Sequence, residues 1–271
     1  MIKAAGFQAG QYGDLVIATV AARAFKQQNP DSHLTFAMAE KYRDMLPLFF
    51  NHPNIDDHHI WDGYDNWPSQ VDKEYIAYRG FDHVFNAMPP HSRPDWYRYL
   101  HYAEENCVRF GLRPPKDLSY ELVRWFPLHT DQRKTVTLTL FPSKGTQMDK
   151  GLLVEEAEKL CIALKAKGYN PVQLGGKYEV ALKNAVAPHF SIFEATKLML
   201  SSAFHITTDT GFSSIAAGYK HRVFGIYGYN YPDLLDNWTQ RPINVNANYI
   251  NDHPNSVTAD QIIATIEREG L

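Results

Sequence analysis

Apolar and polar residues alternate along the first 90 residues with two different spacings. A short apolar run over residues 2–7 predicts a strand, and over residues 14–28 apolar side chains recur every three or four positions, as on one helix face. The segment "SHLTFAMA" (32–39) predicts a second strand, "EKYRDMLPLFF" (40–50) a helix interrupted at its proline, and "FDHVFNAM" (81–88) a third strand. This order of elements predicts a parallel sheet with helices packed on it.

The same alternation returns in the second half of the chain. Strands are predicted at 135–141, 169–175, 203–208 and 222–228, and helices at 152–167, 177–186, 194–201, 212–219 and 258–269. Between the halves, "RWFPLHTDQRK" (124–134) is polar and contains proline, which is typical of a domain boundary. We therefore expect an α/β protein of two β/α domains with mainly parallel sheets, residues 1–126 and residues 134–271.

Two segments of the first half, 51–70 and 89–102, have weak periodicity and are predicted to be loops leading into a helix at 95–111. Their aromatic rings could stack on a sugar or lipid acceptor or could pack in the core: Trp61, Tyr64, Trp67, Trp96, Tyr97, Tyr99 and Tyr102. A basic group could receive an anionic acceptor or could be solvated surface: His91, Arg93, Arg98 and His101. The string "DDHH" (56–59) predicts no metal site, because four consecutive residues cannot all converge on one ion.

Composition narrows the class of protein. Apolar residues make up 44% of the 271 residues, and 30 acidic against 27 basic residues give a net charge of -3. A nonspecific nucleic-acid binder would carry a block of lysine and arginine, and no such block is present. The two cysteines, Cys107 and Cys161, form no CxxC motif and are predicted to be buried or idle thiols. With no run of 18 apolar residues, we expect a cytoplasmic protein with at most peripheral membrane association.

The segment "GFQAGQYGD" (6–14) places three glycines and an acid between the first strand and the first helix. Gly6, Gly10 and Gly13 allow a ligand to approach the backbone at a helix N-terminus, but their GxxxGxxG spacing differs from the GxGxxG of dinucleotide sites. Asp14 stands where a helix N-cap would, so its carboxylate either caps the helix or acts as a chemical group. Position alone favours the cap.

Three segments of the second half directly follow predicted strands and carry groups suited to an anion. They are "TTDTGFSSIAAG" (207–218) with Asp209, Thr210 and Gly211, "FPSKGTQMDKG" (141–151) with Ser143, Lys144, Thr146 and Lys150, and "QLGGKYE" (173–179) with Gly175, Gly176 and Glu179. Each alone could be a helix cap or a solvated loop. Ligands of open α/β sheets gather beyond the carboxyl ends of the strands, where all three segments lie, so together they predict one phosphate-binding region.

These segments resemble glycosyltransferase family 9, the ADP-heptose:lipopolysaccharide heptosyltransferase-like enzymes. The resemblance is carried by "GDLVIATVAARAFKQQNPDSHLTFAM", "FPSKGTQMDKGLLVEEAEKLCIALKAKGYNPVQLGG" and "ITTDTGFSSIAAGYKHRVFGIYG", in the family's order and over about a third of the chain. It implies the GT-B fold of two facing Rossmann-like domains. The chain departs from the family at Ser214, where histidine is common, and at Val20, where proline is common.

The resemblance also implies roles for particular residues. Asp14 would be the general base on the acceptor hydroxyl, with Gly10 and Gly13 letting the acceptor approach. On the donor side, Ser143, Lys144 and Lys150 would meet the phosphates, Glu179 the ribose, and Asp209, Thr210 and Gly211 the pyrophosphate, while Gly175 and Gly176 allow close backbone approach.

The predicted function is therefore an inverting glycosyltransferase that needs no metal or cofactor and moves a sugar from a nucleoside diphosphate sugar to a glycan or glycolipid hydroxyl. The resemblance implies ADP-heptose as the donor. A carboxylate would take the acceptor proton, and cations and amides would stabilise the departing diphosphate. Two alternatives stay open: a non-catalytic nucleotide-sugar-binding protein on the same fold, and an NAD-dependent oxidoreductase that uses Gly6, Gly10 and Gly13 with Glu40 on a ribose.

Overall fold

The computed structural model of the chain describes residues 1–8, 11–61, 79–87, 100–128, 132–141, 150–175, 180–227 and 244–271. The chain divides into two compact units, Met1–Trp125 and Phe126–Leu271. Every pairing between the described strands of either unit is parallel. The prediction of an α/β fold with parallel sheets is thus confirmed.

The first unit contains a four-stranded sheet in the order β3-β2-β1-β4. Its strands are β1 (Lys3–Gln8), β2 (His33–Ala39), β3 (Asp57–Trp61) and β4 (His83–Ala87). Its helices are α1 (Tyr12–Gln28), a 3-10 helix (Glu40–Phe49) and α2 (Tyr102–Arg109). Helix α1 packs against α2 as well as the sheet, which explains why nearly every residue from Leu15 to Phe25 is buried.

The second unit contains a five-stranded sheet in the order β6-β5-β7-β8-β9. Its strands are β5 (Gln132–Thr139), β6 (Asn170–Gln173), β7 (Ser202–Thr207), β8 (Val223–Ile226) and β9 (Ala247–Ile250). Its helices are α3 (Val154–Ala166), α4 (Ile192–Ser201), α5 (Gly211–Gly218), a 3-10 turn (Pro254–Ser256) and α6 (Ala259–Arg268). One core of β5, β7 and β8 side chains packs against α3 and α6.

Two strands lie in segments that the sequence pattern did not predict as strands. Strand β3, "DHHIW", falls inside the segment predicted to be a loop, and β9, "ANYI", follows no strand pattern. Both lie at the outer edge of a sheet and most of their side chains are half-buried. An edge strand of this kind needs no continuous apolar run, so its sequence signal is weak.

The prediction of a helix at 177–186 is wrong for the part that the structure describes, because residues 180–186 contain no helix. Val186 forms a parallel bridge with Val172, beside strand β6. The buried amide of Gln173 donates to the carbonyl of Val180 at 2.7 Å and accepts from the N–H of Leu182 at 2.9 Å. These bonds hold the segment, which turns at residues 183–184, against β6, and tertiary contacts override its helical spacing.

Two predicted helices differ in type or length. The helix predicted at 40–50 is a 3-10 helix that contains Pro47, whose missing N–H does not suit a continuous α-helix. The helix predicted at 95–111 is α2, Tyr102–Arg109, and residues 88–99 lie outside the described part of the chain.

Gly225 of β8 marks a close approach between neighbouring strands. A Cβ atom at this position would lie 2.5 Å from the ring of Tyr249 in β9, nearer than any two such atoms can stand. The ring of Tyr249 in turn packs edge-on against Tyr227, with centroids 5.5 Å apart. The absence of a side chain at Gly225 therefore allows the edge strand to pack as it does.

Candidate active site

The strand order of the second unit creates a topological switch point between β5 and β7. After β5 the chain runs to β6 on one side and then returns to β7 on the other, so the loops that follow β5 and β7 leave in opposite directions. Thr139 and Thr207, near the carboxyl ends of these strands, are direct register partners. Open α/β sheets bind their ligands in the crevice at such a point. Two of the three predicted phosphate-binding segments, 141–151 and 207–218, follow these two strands.

The structure brings together two of the predicted donor residues that are far apart in sequence. The ammonium Nζ of Lys150 lies 2.7 Å from Oδ2 of Asp209. The two side chains are 19% and 26% exposed, so the pair is mostly shielded but reaches solvent. Asp209 therefore contacts a cationic side chain. The carboxylate holds the lysine ammonium at the start of α5.

Thr210 and Gly211 form the start of helix α5. Thr210 is the N-cap residue, with extended backbone angles of φ -134° and ψ 165°, and Gly211 is the first helical residue. The Thr210 side chain makes no capping hydrogen bond to the helix. Its hydroxyl instead lies 3.1 Å from that of Thr139 and 3.0 Å from that of Thr207. The N–H of Ser213 donates to the carbonyl of Thr210 at 3.1 Å, while the earlier N–H groups of a helix have no acceptor within it, so this turn suits an anion.

A buried histidine, which the sequence interpretation did not single out, lies beneath this turn. His205 of β7 is 0% exposed, and its Nδ1 and Nε2 atoms each lie 3.0 Å from a threonine hydroxyl, of Thr137 and Thr139 respectively. Burial, with a contribution from nearby His221, lowers the pKa of His205 to about 3, so the ring is neutral. The detectable signal is "TVTLTL", where threonines alternate with apolar residues on a strand buried on both faces.

Other predicted donor residues are placed only in part. Gly175 follows β6, just beyond Leu174, whose N–H donates to the carbonyl of Leu138 at 2.8 Å. Ser143, Lys144, Gly176 and Glu179 lie outside the described residues. Ser214, where the family commonly has histidine, is buried in α5.

In the first unit, Asp14 is not the N-cap residue that its sequence position suggested. Helix α1 begins at Tyr12, so Gln11 is the N-cap and Asp14 stands three residues further on. Its Oδ2 accepts a hydrogen bond from the N–H of Gln11 at 2.5 Å, and the residue is half-buried. Strand β1, which precedes it, borders the switch point between β1 and β4. Gly13 is in the first turn of α1, and Gly10 lies outside the described residues.

Two aromatic residues stand at the same end of this sheet. The rings of Tyr12, at the start of α1, and Tyr42, in the 3-10 helix after β2, pack edge-on with centroids 5.3 Å apart. Burial, aided by the charge of Asp44, raises the pKa of Tyr12. Aromatic surface therefore lies at the start of α1, the helix that carries Asp14, and aromatic faces suit the apolar faces of sugars.

The arrangement does not suit the dinucleotide alternative. Gly6 lies within β1, paired with Phe36 and Phe85, so it is not part of the loop. The guanidinium of Arg43 donates two 2.7 Å hydrogen bonds to the carboxylate of Glu40. In the dinucleotide alternative this carboxylate would instead bind a ribose.

The remaining candidates that the structure describes in the first unit have structural partners. The others lie outside the described residues: Tyr64, Trp67, His91, Arg93, Trp96, Tyr97, Arg98 and Tyr99. Asp56 pairs with Lys26 at 2.6 Å and Asp57 with Arg79 at 3.0 Å. Trp61 and Tyr102 are buried, as is His101, whose ring accepts from the N–H of Ala103 at 3.1 Å. In the described ranges, no three His, Cys, Asp or Glu side chains are grouped so that they could hold a metal. The same ranges contain no helix long and apolar enough to cross a membrane.

Comparison with solved structures defines the class. The chain is similar to the ADP-heptose lipopolysaccharide heptosyltransferase II of E. coli, with 12% identity, 98% of each chain covered and a TM-score of 0.69. It is similar to a family 9 glycosyltransferase of Veillonella parvula, with 14% identity, coverage of 98% of this chain and 96% of that one, and a TM-score of 0.72. A third similar structure is the E. coli heptosyltransferase WaaC with ADP-2-deoxy-2-fluoro heptose, with 13% identity, coverage of 99% and 100%, and a TM-score of 0.64. The fold is therefore the GT-B fold of these glycosyltransferases.

A family match lies within the second unit. Residues 173–262 match the family described as glycosyltransferase family 9 (heptosyltransferase). The resemblance indicated by the sequence motifs is thus confirmed over residues 173–262, and the protein is a glycosyltransferase. No curated protein sequence matches the chain.

Proposed function

We propose that this protein is an inverting glycosyltransferase that moves a sugar from a nucleoside diphosphate sugar to an acceptor hydroxyl without a metal ion. The leading donor is ADP-heptose, since one similar structure is named for ADP-heptose and another was solved with a fluorinated ADP-heptose. The acceptor class is a glycan or glycolipid. The observation that carries the proposal is the Lys150–Asp209 ion pair at the start of α5, beside the β5–β7 switch point.

The donor half of the reaction is an anion-binding task. When the bond between the anomeric carbon and the phosphate oxygen breaks, negative charge develops on the leaving nucleoside diphosphate. The ammonium of Lys150 and the N–H groups at the start of α5 would stabilise that charge. Asp209 holds the lysine, while Ser143, Lys144 and Glu179 complete the donor site by the family resemblance.

The acceptor half requires a base. The acceptor oxygen forms a bond to the anomeric carbon from the face opposite the leaving group, and its proton passes to the carboxylate of Asp14. The helix N-terminus and the N–H of Gln11 stabilise Asp14 as a carboxylate, which is the form that can accept a proton. Gly13 adds no side chain beside it.

The test is Asp14→Asn, with Glu104→Gln as a matched control. The amide introduced by D14N keeps an oxygen that can accept from Gln11 but cannot take a proton. Glu104 has the same position in α2, where its Oε2 accepts from the N-cap N–H of His101 at 2.9 Å. Both variants should lose a similar, small amount of thermal stability. We expect D14N to lower the rate of sugar transfer by about 10²- to 10⁴-fold, the usual contribution of a general base, and E104Q to leave it unchanged.

The outcomes separate the two roles of Asp14 and the two classes of protein. Transfer by D14N at the rate of the unaltered protein would mean that Asp14 serves only the helix. A calorimetric signal with ADP-sugars, without product from any acceptor in a panel, would favour the non-catalytic nucleotide-sugar-binding protein.

A further inference from the structure

A continuous network of buried hydrogen bonds joins the core of the second sheet to the turn that begins α5. Its members are Thr137 and Thr139 of β5, His205 and Thr207 of β7, and Thr210. The first four are at most 3% exposed. A buried polar network of this kind is stable only if nearly all of its donors and acceptors are matched.

The hydrogens of the network can be assigned by counting donors. The hydroxyl of Thr207 donates to the carbonyl of Thr208 at 2.7 Å, so its 2.7 Å contact with Thr139 requires the hydrogen of Thr139. With that hydrogen used, the 3.0 Å contact between Thr139 and Nε2 of His205 requires a hydrogen on Nε2. Nδ1 is then an acceptor for the hydroxyl of Thr137 at 3.0 Å, which is closer than the 3.2 Å contact of the same hydroxyl with Ser202. The bonds run in one direction, from Thr137 through the imidazole to the carbonyl of Thr208.

This direction fixes the hydroxyl of Thr210. Both of its hydroxyl neighbours, Thr139 and Thr207, have already used their hydrogens, so Thr210 shares its own hydrogen between them, over contacts of 3.1 and 3.0 Å. The hydroxyl of Thr210 is therefore committed to the interior, and the turn from Asp209 to Gly211 is anchored to β5 through it.

We propose that His205 and Thr139 are positioning residues for the donor, which act by anchoring the Thr210 turn through this network. The inference rests on the proposed donor site at the same turn. The diphosphate would then be contacted by Lys150 and by the backbone N–H groups of the turn rather than by the Thr210 hydroxyl. Loss of the anchor would weaken diphosphate binding although none of the buried residues touches the ligand.

The two threonines of β5 provide a matched pair for the test. Thr137 and Thr139 lie on the same face of one strand, are 0% and 3% exposed, and each forms a 3.0 Å contact with His205. Only Thr139, of these two, also contacts Thr210. Replacing either by valine removes a buried hydroxyl without changing the shape, so T137V and T139V should lower the melting temperature by similar amounts. We expect T139V to raise the Kd for ADP, measured by calorimetry, by about fivefold and T137V to leave it unchanged, since one hydrogen bond is worth about 1 kcal/mol.

Two further sets of variants test the argument independently of stability. T139S keeps the hydroxyl and should bind ADP like the unaltered protein. In H205Q the amide can still donate near the Nε2 position to Thr139, whereas H205N reaches the Nδ1 side, so H205N should bind ADP more weakly than H205Q. Equal ADP affinities for T137V and T139V, or for H205N and H205Q, would contradict the positioning role alone. Failure of the unaltered protein to bind ADP would contradict the proposed function, and this inference with it.

Discussion

The ion pair of Lys150 and Asp209 allows a test in which the direction of a change in ADP affinity shows whether Asp209 positions the lysine or only repels the ligand. Asp209 has two opposite influences on a bound diphosphate. Its negative charge repels the ligand, while its 2.7 Å contact holds the Lys150 ammonium that attracts the ligand. We therefore expect Asp209→Asn to weaken ADP binding when Lys150 is present and to strengthen it in a Lys150→Met background.

The expected magnitudes follow from distance and exposure. Two unit charges about 4 Å apart interact with about 4 kcal/mol at an effective dielectric constant of 20. Because the two side chains are 19% and 26% exposed, desolvation and screening offset most of this Coulomb energy, and little of it contributes to the stability of the fold. We expect a coupling of about 1 kcal/mol to stability and a change in melting temperature of about 2–4 °C. A charged hydrogen bond to the diphosphate is worth about 1.5–3 kcal/mol, so K150M should raise the Kd for ADP roughly 10- to 150-fold.

The assay is a double-mutant cycle of K150M, D209N and the combined variant, with ADP affinity from calorimetry at about 0.15 M salt, where the Debye length is about 8 Å. Lys159→Met is the control, because Lys159 forms a similar 2.6 Å pair with Glu156 on α3 and is 64% exposed. That variant should not change ADP affinity. If D209N strengthens ADP binding in both backgrounds, Asp209 does not position the lysine and the reasoning is refuted.

Two further predictions concern groups buried in the cores. Burial raises the pKa of both Cys107 and Cys161 to about 12, so iodoacetamide at pH 8 should label neither thiol in the folded protein and both in urea; labelling of one without denaturant would contradict its burial. Burial also lowers the pKa of His52 and His221 to about 4 and that of His205 to about 3, below the ordinary 6.5. The unfolded chain then binds protons that the folded chain does not, so the contribution of these histidines to the free energy of unfolding should be constant above pH 7. The free energy of unfolding should fall between pH 6.5 and 4, by up to about 1.4 kcal/mol per pH unit for each histidine. Urea unfolding at pH 7.5, 6 and 5 measures this, and equal stabilities would contradict it.

The sequence predicted the interior of the fold better than its edges, for a physical reason. Strands β1, β2, β5, β7 and β8 are covered on both faces and therefore have apolar runs that the pattern detects. Edge strands β3 and β9 satisfy fewer packing constraints, and their mixed composition resembles a loop. The non-helical segment 180–186 is held by contacts with β6 that local spacing cannot reveal.

The candidate site shows the same division. Lys150 and Asp209 could be named from their segments, because a glycine turn and a lysine loop after parallel strands suit a phosphate. Their mutual 2.7 Å contact could not be predicted, because the two residues are 59 positions apart in sequence. They meet only because β5 and β7 are neighbours in the sheet. Asp14 was identified as an acid at a helix start. The helix begins two residues earlier than predicted, so Asp14 is its third residue and not its N-cap.

His205 was missed because a lone histidine in an apolar strand has an ordinary structural explanation, and its partners on β5 are 66 and 68 residues away. The network nevertheless poses a physical question, because a buried set of threonines and a histidine is no more stable than an apolar core of the same shape. What it adds is a fixed direction of hydrogen bonding from the core to the turn that begins α5. If such a network serves ligand geometry, apolar replacements along it should separate thermal stability from ADP affinity, with a loss of affinity confined to the positions that reach Thr210. A network that serves the fold alone would lose both properties together, in proportion, at every position.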